Sequence, residues 1–551
     1  MSKSNKGQTF VFGAVLLMAS NLIVKIIGAL FKIPLTRMIG VGGMAYFNAA
    51  YTIYVNFYQI STAGLPVAVS RMIASSNLKG NTKEVKRIFR LAYWLFFAIG
   101  VVGTAIMIIL SRTFAAGANI PDSYLAIIVI APTLFFICLS SAYRGYFQGL
   151  QNMVPTSVSQ VIESIGKFGI GLFAAWYFLK VKGFELHVVA ALVISGVTIG
   201  VMAATIYIFV VKQVNDRRNP ITYGADMPVR SSKSLLRELV VTAIPIAIAS
   251  SIMGLTNTVD TFVMANRIPL TGITVEAAGK FYGTYSSLVI PLFNMIPPMI
   301  YPLAISAIPA LSAAITKGDR AECERHMNSA LRLGALLALP CAFGMGTLSK
   351  GIISFLFEDE VIESGSRTFS SIDLAAPALS IVAPAILFLG LIAITNAILQ
   401  AYRCEKYTII STFAGIVVKF VTTFFLSAVP DMGINGSAVG TLLCYFTIMS
   451  LNIFFMITKI HYVPSVRKIF LKPLIASIAC GLAALFATRM LDRVIGSGRI
   501  NTLLSIAAAA LVYLVVILLI KGINRDDVMM LPKGAKICAA MDRFNLLEKA
   551  D

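Results

Sequence analysis

Charged residues are scarce in this chain of 551 residues, at 13% of the sequence, against about 25% in a typical soluble protein. Histidine and cysteine are also few, with three and seven residues, and their scattered positions predict neither a metal site nor a disulfide framework. The sequence contains no Gly-x-x-x-x-Gly-Lys-Ser/Thr loop, so we expect no ATP hydrolysis by this chain. These absences disfavour a soluble enzyme and predict no cofactor, although a coupled cation stays open.

Long apolar runs fill most of the sequence. Hydrophobic residues make up 58% of the chain, and the mean hydropathy is +0.83. A helix needs about 20 predominantly apolar residues to cross a bilayer, and about fourteen runs reach that length. Their predicted limits are 10–36, 44–72, 88–111, 121–148, 155–180, 186–212, 238–267, 279–314, 329–357, 372–402, 407–429, 434–459, 469–490 and 500–521. The sequence therefore predicts an all-α polytopic membrane protein.

Basic residues outnumber acidic ones and give a net charge of +21. In a soluble chain this charge would suggest nucleic acid, but here the basic residues cluster in alternate predicted loops, which the positive-inside rule places in the cytoplasm. The loop after the ninth segment, on the opposite side, is acidic. We therefore expect both termini in the cytoplasm, and no nucleic-acid partner. Three arginines lie at predicted cytoplasmic helix ends: Arg71, Arg144 and Arg403. We interpret them as interfacial anchors, and contact with a lipid phosphate at the entrance is the alternative.

Two lysines lie inside the first membrane-length segment. Asn21, Lys25 and Lys32 are spaced i, i+4 and i+11, so they share one face of a helix. A charge at membrane depth costs roughly 2.5–3.5 kcal/mol even on the mild insertion scale. Such a side chain is therefore expected to face a partner or a water-filled cavity.

The same charged face recurs in the second half of the chain. The tetrapeptide Ile-Pro-Leu-Thr follows Lys32 and occurs again after Arg267. This register places Asp260 at the position of Lys25, and Arg267 at the position of Lys32. We expect these four residues to line a cavity, with Asp260 pairing with Lys25 or exchanging partners. The alternative is a static ion pair between helices that only orients the two halves.

Further matches between the halves predict two pseudo-symmetric lobes of six helices each, around a central cavity. Parallel repeats of this kind enclose a site between lobes. The predicted domains are an N-lobe at 1–236, a C-lobe at 237–465, two extra C-terminal helices at 466–525 and a cytoplasmic tail at 526–551. A static two-lobed scaffold does not require charged helix faces, so the duplicated face indicates a transport pathway.

Two more lysines occupy equivalent positions of the repeat, near the middle of their predicted helices. Glu163 precedes Lys167 by four residues, so the two side chains can form an ion pair on one helix face. Lys419 has Gly415 at the corresponding position, which favours an anion or water beside it. The alternative for both lysines is a side chain that snorkels to the interface.

Aromatic and amide side chains follow one face of the second segment. Tyr51, Tyr54 and Tyr58 form a stripe, with Gln59 beside it. The rings could stack on sugars. An interfacial or packing role explains the same spacing equally well.

Several motifs resemble the MurJ/SpoVB-type flippases of the multidrug/oligosaccharidyl-lipid/polysaccharide exporter superfamily. The motifs are Lys-Ile-Ile-Gly at 25–28, Arg-Met-Ile-Gly at 37–40, Gly-Leu-Pro-Val-Ala-Val-Ser-Arg at 64–71, Tyr-Arg-Gly-Tyr-Phe-Gln-Gly at 143–149 and Met-Val-Pro-Thr at 153–156. The resemblance implies a two-lobed fold of fourteen helices. It also implies translocation of an undecaprenyl-pyrophosphate-linked sugar, most often lipid II, from the cytoplasmic to the outer leaflet.

The resemblance further implies that basic residues of the first helix line the cavity. Lys25 occupies such a position and Lys32 lies at or beside another, where family members often have arginine. The family's arginine on the second helix falls near Tyr58 or Gln59 in this sequence. These departures leave open which lipid-linked head group would be carried.

We expect a monomeric flippase that works by alternating access and meets its lipid-linked substrate among the membrane lipids, with the cell-wall synthesis machinery as a possible partner. Three alternatives stay open at this point. The first is a flippase for another polyprenyl-linked polysaccharide repeat unit, or a sporulation paralogue. The second is a multidrug/cation antiporter, which would favour acidic rather than basic cavity residues. The third is a membrane glycosyltransferase, which would need catalytic acids on an outer loop.

Overall fold

The computed structural model describes residues 3–218, 228–496 and 498–525. The described chain is almost entirely helical, as the apolar runs predict. Its packing divides it into two compact units. The first unit is Met1–Asn266 with Ala278–Gly283, and the second is Arg267–Ala277 with Thr284–Asp551.

Eight helices precede Asp260 along the described chain. They are α1 (Lys3–Thr62), α2 (Leu65–Leu78), α3 (Thr82–Ile109), α4 (Ser111–Gly117), α5 (Tyr124–Gly149), α6 (Val154–Ala174), α7 (Leu186–Arg218) and α8 (Ser232–Val259). The helices that follow are α9 (Ala265–Arg267), α10 (Val275–Thr284), α11 (Ile290–Phe293), α12 (Pro297–Lys317), α13 (Arg320–Thr347), α14 (Ser349–Leu356), α15 (Ser371–Val382), α16 (Ala385–Ala401), α17 (Glu405–Leu426), α18 (Gly433–Phe455), α19 (Val466–Ile495) and α20 (Arg499–Leu519).

A short β-hairpin lies where the sequence predicts an acidic loop. Strands β1 (Val361–Ser364) and β2 (Arg367–Ser370) pair antiparallel, with Val361 opposite Ser370. Ser370 then caps α15, because its hydroxyl accepts a hydrogen bond from the backbone N–H of Asp373 at 3.1 Å. A hairpin of four-residue strands is too short to show a clear alternation of polar and apolar residues.

The first two predicted segments meet at a sharp bend inside α1. α1 changes direction at Gly40, whose φ of 65° and ψ of 179° are conformations that residues with a side chain rarely adopt. The chain therefore turns within one residue instead of forming a loop. α1 ends just before Gly64, where a Cβ atom would come within 2.0 Å of the Ala243 carbonyl oxygen on α8. Glycine is required there because the two backbones touch.

Nine helices of the described chain are long and apolar enough to cross a membrane, or ten if the bent pair α15 and α16 forms one span. That pair bends by 43°. The prediction of fourteen spans is therefore not confirmed as a number. Breaks explain part of the difference, because the predicted segments 279–314 and 372–402 are each divided into shorter helices. The predicted all-helical membrane fold is confirmed.

The core of the first unit is a continuous apolar cluster. It is formed by buried side chains of α1, α2, α3, α5 and α7, together with the start of α8. Phe31, Phe47 and Phe96 are among its fully buried members. The first two rings belong to α1 and lie on either side of its Gly40 bend, so both parts of α1 are anchored in the same core.

A polar clamp holds the start of α8 against the start of α3. Glu84 accepts three hydrogen bonds from Arg230, from the backbone N–H at 3.2 Å, Nε at 3.1 Å and Nη2 at 2.9 Å, and a fourth from Ser76 at 2.8 Å. The hydrogen bond to Glu84 also keeps the pKa of Arg230 above its ordinary value. We call Glu84, Ser76 and Arg230 the Glu84 clamp.

Two helices begin with the same kind of cap. Asn81 caps α3 by accepting a hydrogen bond from the backbone N–H of Glu84, and Asp319 caps α13 in the same way from Glu322. The division into units places α8 in the first unit, whereas the repeat places the same segment in the predicted C-lobe. The lobe boundaries at 236 and 465 therefore stay predictions, and the predicted tail at 526–551 lies outside the described residues.

Candidate functional site

The polar face predicted for the first segment lies on the first part of α1. Asn21 and Lys25 are exposed, and Lys32 is half-buried. At a rise of about 1.5 Å per residue, the eleven residues from Asn21 to Lys32 extend over roughly 16 Å of the helix. This face therefore follows a path of about half a bilayer thickness along α1.

The ammonium group of Lys32 has a neutral partner. Its Nζ atom donates a hydrogen bond to Oδ1 of Asn48 at 3.3 Å, across the bend of α1. No carboxylate within the described residues pairs with Lys32. Since a charge at this depth is costly without a counter-charge or water, Lys32 keeps its ability to bind an anion.

Lys167 reaches the same part of α1 from α6. Its Nζ atom lies 4.4 Å from the ring centre of Tyr51 and 5.2 Å from that of Phe31. The ring faces attract the cation without neutralising it. Tyr51 and Asn48 are three residues apart and lie on neighbouring turns of α1, so Lys32 and Lys167 approach one region of that helix.

The tyrosine stripe is present and is partly buried. The ring centres of Tyr51 and Tyr54 are 6.0 Å apart, and those of Tyr54 and Tyr58 are 6.1 Å apart. Tyr54 is buried in the core, while Tyr51 and Tyr58 pack against it and remain partly exposed. The packing interpretation therefore holds for Tyr54, and the stacking of sugars on the two outer rings stays a prediction.

The expected pair between Glu163 and Lys167 is not formed. Glu163 instead pairs with Arg144 of α5, with Oε2 and Nη2 separated by 3.1 Å. Arg144 also donates from Nε to the Ser159 hydroxyl at 3.1 Å. The assignment of Arg144 as an interfacial anchor is thus wrong. Its side chain is 9% exposed, because α5 continues beyond it to Gly149 and buries it against α6.

Sequence reasoning missed this ion pair, although a signal for it exists. Ser159 and Glu163 lie four residues apart and share one face of α6. An acidic residue within a membrane-length run needs a cation, and the sequence analysis considered only Lys167 as that cation. Helix contacts decide the partner, since α5 brings Arg144 directly over that face.

Gln59 and Asp260 are both associated with the end of α8 in the first unit. Gln59 lies against Gly254 of α8, and its Oε1 atom is buried without a hydrogen-bond donor among the described residues. Asp260 is 3% exposed and begins a widened, π-helical turn, Asp260–Met264. The predicted exchange of partners between Asp260 and Lys25 stays a prediction.

Arg267 is fixed in the second unit by the end of α17. Its Nε donates to the Phe424 carbonyl oxygen at 3.0 Å, and its guanidinium carbon lies 3.9 Å from the centre of the Phe424 ring. No acidic group among the described residues pairs with it. The planar guanidinium is therefore oriented by a neutral neighbour, with its two terminal nitrogens left to bind a ligand.

Lys419 differs from the other lysines because it is sealed in the second unit. Its side chain is 1% exposed and lies near the middle of α17. Lys419 therefore lies in the packed interior of this unit, and its predicted place among the cavity residues stays a prediction.

The long apolar helices define a multi-pass membrane protein. The described residues include no cluster of three or more His, Cys, Asp or Glu side chains able to hold a metal ion. The chain belongs to the family described as polysaccharide biosynthesis protein, whose model matches residues 10–315.

The relatives agree with this assignment. Stage V sporulation protein B of Bacillus subtilis (strain 168) is 24% identical over 533 residues, covering 95% of this chain and 98% of the relative. The lipid II flippase MurJ of the same organism is 25% identical over 465 residues, with 82% of each chain covered. The resemblance to MurJ/SpoVB-type proteins is therefore confirmed.

Two solved structures show the fold. A lipid II flippase MurJ in an inward closed conformation gives a TM-score of 0.64 at 16% identity, covering 91% of this chain and 98% of the flippase. An inward-facing multidrug transporter of the MATE family gives a TM-score of 0.62 at 14% identity. The match covers 81% of this chain and 98% of the transporter. The proteins similar to this chain are thus transporters rather than catalytic enzymes, and the fold is the one that these transporters share.

Proposed function

We propose that this protein is a flippase that moves an undecaprenyl-pyrophosphate-linked sugar precursor, lipid II, from the cytoplasmic to the outer leaflet. The nearly full-length similarity to Stage V sporulation protein B and the similarity to MurJ support the cargo class. The choice of lipid II within that class is part of the proposal.

One structural observation supports the proposal. Lys32 and Arg267 occupy equivalent positions of the internal repeat, and each has a neutral partner within its own unit. An acidic partner would have marked either cation as a structural ion pair. Each unit therefore contains a cation that no acidic side chain of the described residues neutralises.

The chemistry of the cargo matches these cations. A lipid-linked diphosphate sugar has an anionic, hydrated head group that must cross about 30 Å of hydrocarbon. Its isoprenoid tail is soluble in lipid and needs no polar path. Cations along the route lower the barrier for the head group, and alternating access would move it between the two leaflets. The membrane potential acts on any net charge moved, at about 2.3 kcal/mol per charge per 100 mV.

A second candidate is a flippase that carries the same class of lipid during sporulation. The similarity to Stage V sporulation protein B covers 95% of this chain, against 82% for the MurJ relative. The same cations would serve either protein, since the diphosphate is common to all such cargoes. The two candidates differ in the sugar head group that they accept.

The test combines transport with complementation. Purified protein in liposomes is assayed for flipping of fluorescent lipid II, and the gene is expressed in a strain depleted of its lipid II flippase, with outer-leaflet lipid II quantified. Lys32→Ala and Arg267→Ala should each abolish flipping while the protein stays folded and inserted. The matched control is Lys350→Ala, because Lys350 is exposed and already paired with Asp373 at 2.7 Å.

The outcomes separate the candidates. Flipping of lipid II that depends on Lys32 and Arg267 but not on Lys350 supports the proposal. Transport of another polyprenyl-linked repeat unit, but not of lipid II, would favour the second candidate. Wild-type rates in both alanine variants would reject the role of the cations.

A further inference from the structure

We propose that Lys167 and Lys32 together form a phosphate-binding pair within the first unit, so that Lys167 binds ligand rather than serving as an ion-pair residue. The inference rests on the proposed function for the identity of the cargo. It does not need that function for the chemistry of the site, which is recognition of a phosphate or diphosphate by two ammonium groups. The expected ligand is the diphosphate of the lipid-linked precursor.

The geometry brings the two ammonium groups to one place. Lys32 Nζ is 3.3 Å from the Asn48 side chain, and Lys167 Nζ is 4.4 Å from the ring centre of Tyr51. Asn48 and Tyr51 are neighbours on one helix face. The second contact of Lys167 is Phe31, which precedes Lys32 in the sequence. Both ammonium groups therefore lie against the same part of α1.

The acid that should neutralise Lys167 is already engaged. Glu163 lies one turn before Lys167 on α6, but its carboxylate is bound to Arg144, which is itself held by Ser159. Lys167 therefore has only the rings of Phe31 and Tyr51 as partners among the described residues. The arrangement leaves two positive charges, on Lys32 and Lys167, without a negative counterpart in the protein.

Another lysine of the same unit, Lys212, has aromatic neighbours as Lys167 does but is also neutralised by a carboxylate. Lys212 also lies over aromatic rings, 4.6 Å from the Phe89 centre and 5.2 Å from that of Tyr146. Its Nζ is 2.6 Å from Asp216, four residues along α7. Lys212 and Lys167 are both half-buried, so the presence of a carboxylate is what distinguishes them.

Two uncompensated cations at membrane depth need a counter-ion or water. Both lysines are half-buried rather than sealed, so a ligand can reach them. A diphosphate offers several acceptor oxygens and two negative charges in a small volume, which matches two rotatable ammonium groups better than a single carboxylate does. The half-exposed ring of Tyr51 lies beside this position and leaves an apolar face for the group attached to the phosphates.

The binding experiment uses full-length protein in phosphatidylcholine nanodiscs, with undecaprenyl diphosphate as the probe and undecaprenol as the probe without phosphate. Lys167→Gln should weaken binding of the diphosphate about tenfold to a hundredfold, as expected for loss of a charge-assisted hydrogen bond. Lys212→Gln is the control and should bind as the wild type does. Lys167→Arg keeps the charge and should retain most of the affinity.

Replacement of part of the phosphatidylcholine by phosphatidylglycerol distinguishes two sources of phosphate. Competition by phosphatidylglycerol that depends on Lys167 would assign the pair to lipid phosphates in general. If phosphatidylglycerol does not compete, the phosphate pair is specific for the diphosphate.

Equal affinity of the wild type and Lys167→Gln for undecaprenyl diphosphate would overturn this inference, and lipid II flipping by both proteins would leave the proposed function intact. The opposite result is binding of phosphatidylglycerol through Lys167 without binding of undecaprenyl diphosphate. It would support the phosphate pair and contradict the flippase. If Lys167→Gln does not fold, two other measurements test the inference. Lys32→Gln should weaken binding of undecaprenyl diphosphate, and the bound lipid should protect Lys167 from amine-reactive reagents. Unchanged affinity together with no protection would overturn the inference.

Discussion

Removal of Arg144 should disable the phosphate pair without touching either lysine. In Arg144→Met, the Glu163 carboxylate loses its partner and lies one helical turn from Lys167, where a Glu–Lys pair at i and i+4 is favourable. Glu163 should then neutralise Lys167. The affinity for undecaprenyl diphosphate should fall about tenfold, toward that of Lys167→Gln.

The cost to stability follows from the burial of the pair. Removing one partner of a buried ion pair typically costs about 3–5 kcal/mol. The Arg144 side chain is 9% exposed and that of Glu163 is 30% exposed. Because Glu163 keeps some contact with solvent and can turn to Lys167, we expect the lower end, about 3 kcal/mol. The free energy of unfolding, measured by titration with denaturing detergent, reports this loss.

The double variant Arg144→Met with Glu163→Leu provides the decisive comparison. Replacement of a buried ion pair by apolar residues of similar size is often nearly neutral, so stability should recover. Lys167 would again have no acidic neighbour, and binding of the diphosphate should recover with it. If Arg144→Met binds diphosphate as tightly as the wild type, or if the double variant binds as weakly as the single one, Glu163 does not control Lys167 and the reasoning fails.

Three further predictions concern other parts of the molecule. Gly64→Ala should strongly destabilise the protein, since its Cβ would lie 2.0 Å from the Ala243 carbonyl oxygen, and the yield of folded protein in detergent measures the effect. Arg267→Lys should keep the charge but lose the planar fork, so lipid II flipping should fall about tenfold while insertion is unchanged; an unchanged rate would show that charge alone suffices. Burial raises the pKa of Asp359, but hydrogen bonds from the Ile372 backbone and two serines outweigh it and hold the pKa below its usual value. Ionised Asp359 therefore stabilises the fold at pH values above its pKa in the unfolded chain, and this stabilisation is lost as the pH falls through its lower pKa in the folded protein. Asp359→Asn should make the free energy of unfolding depend less on pH below about pH 4.

The sequence was sufficient to predict the class of fold and the positions of most apolar helices, because membrane-length hydrophobic runs leave few alternatives. Lys32 and Arg267 each have a neutral partner in their own unit, and their role in a cavity stays a prediction.

The details that failed depend on contacts between distant helices. Nothing local in the sequence separates a lysine four residues away from an arginine nineteen residues away as the partner of Glu163, and the packing of α5 on α6 makes that choice. The sharpness of the bend between the first two predicted segments depends on one backbone conformation, that of Gly40. The buried position of Lys419 is also a property of packing, and its predicted place among the cavity residues stays a prediction.

The Glu84 clamp has a mechanical consequence for the first unit. Three N–H groups of Arg230 converge on one carboxylate in the first turn of α3, and that helix end also favours negative charge. The base of α8 is thereby tethered to its neighbour, so these two helix ends travel as one body. If α8 bends, we therefore expect the bend at its opposite end, where the backbone widens into the π-helical turn Asp260–Met264. The buried side chain of Asp260 lies at this turn.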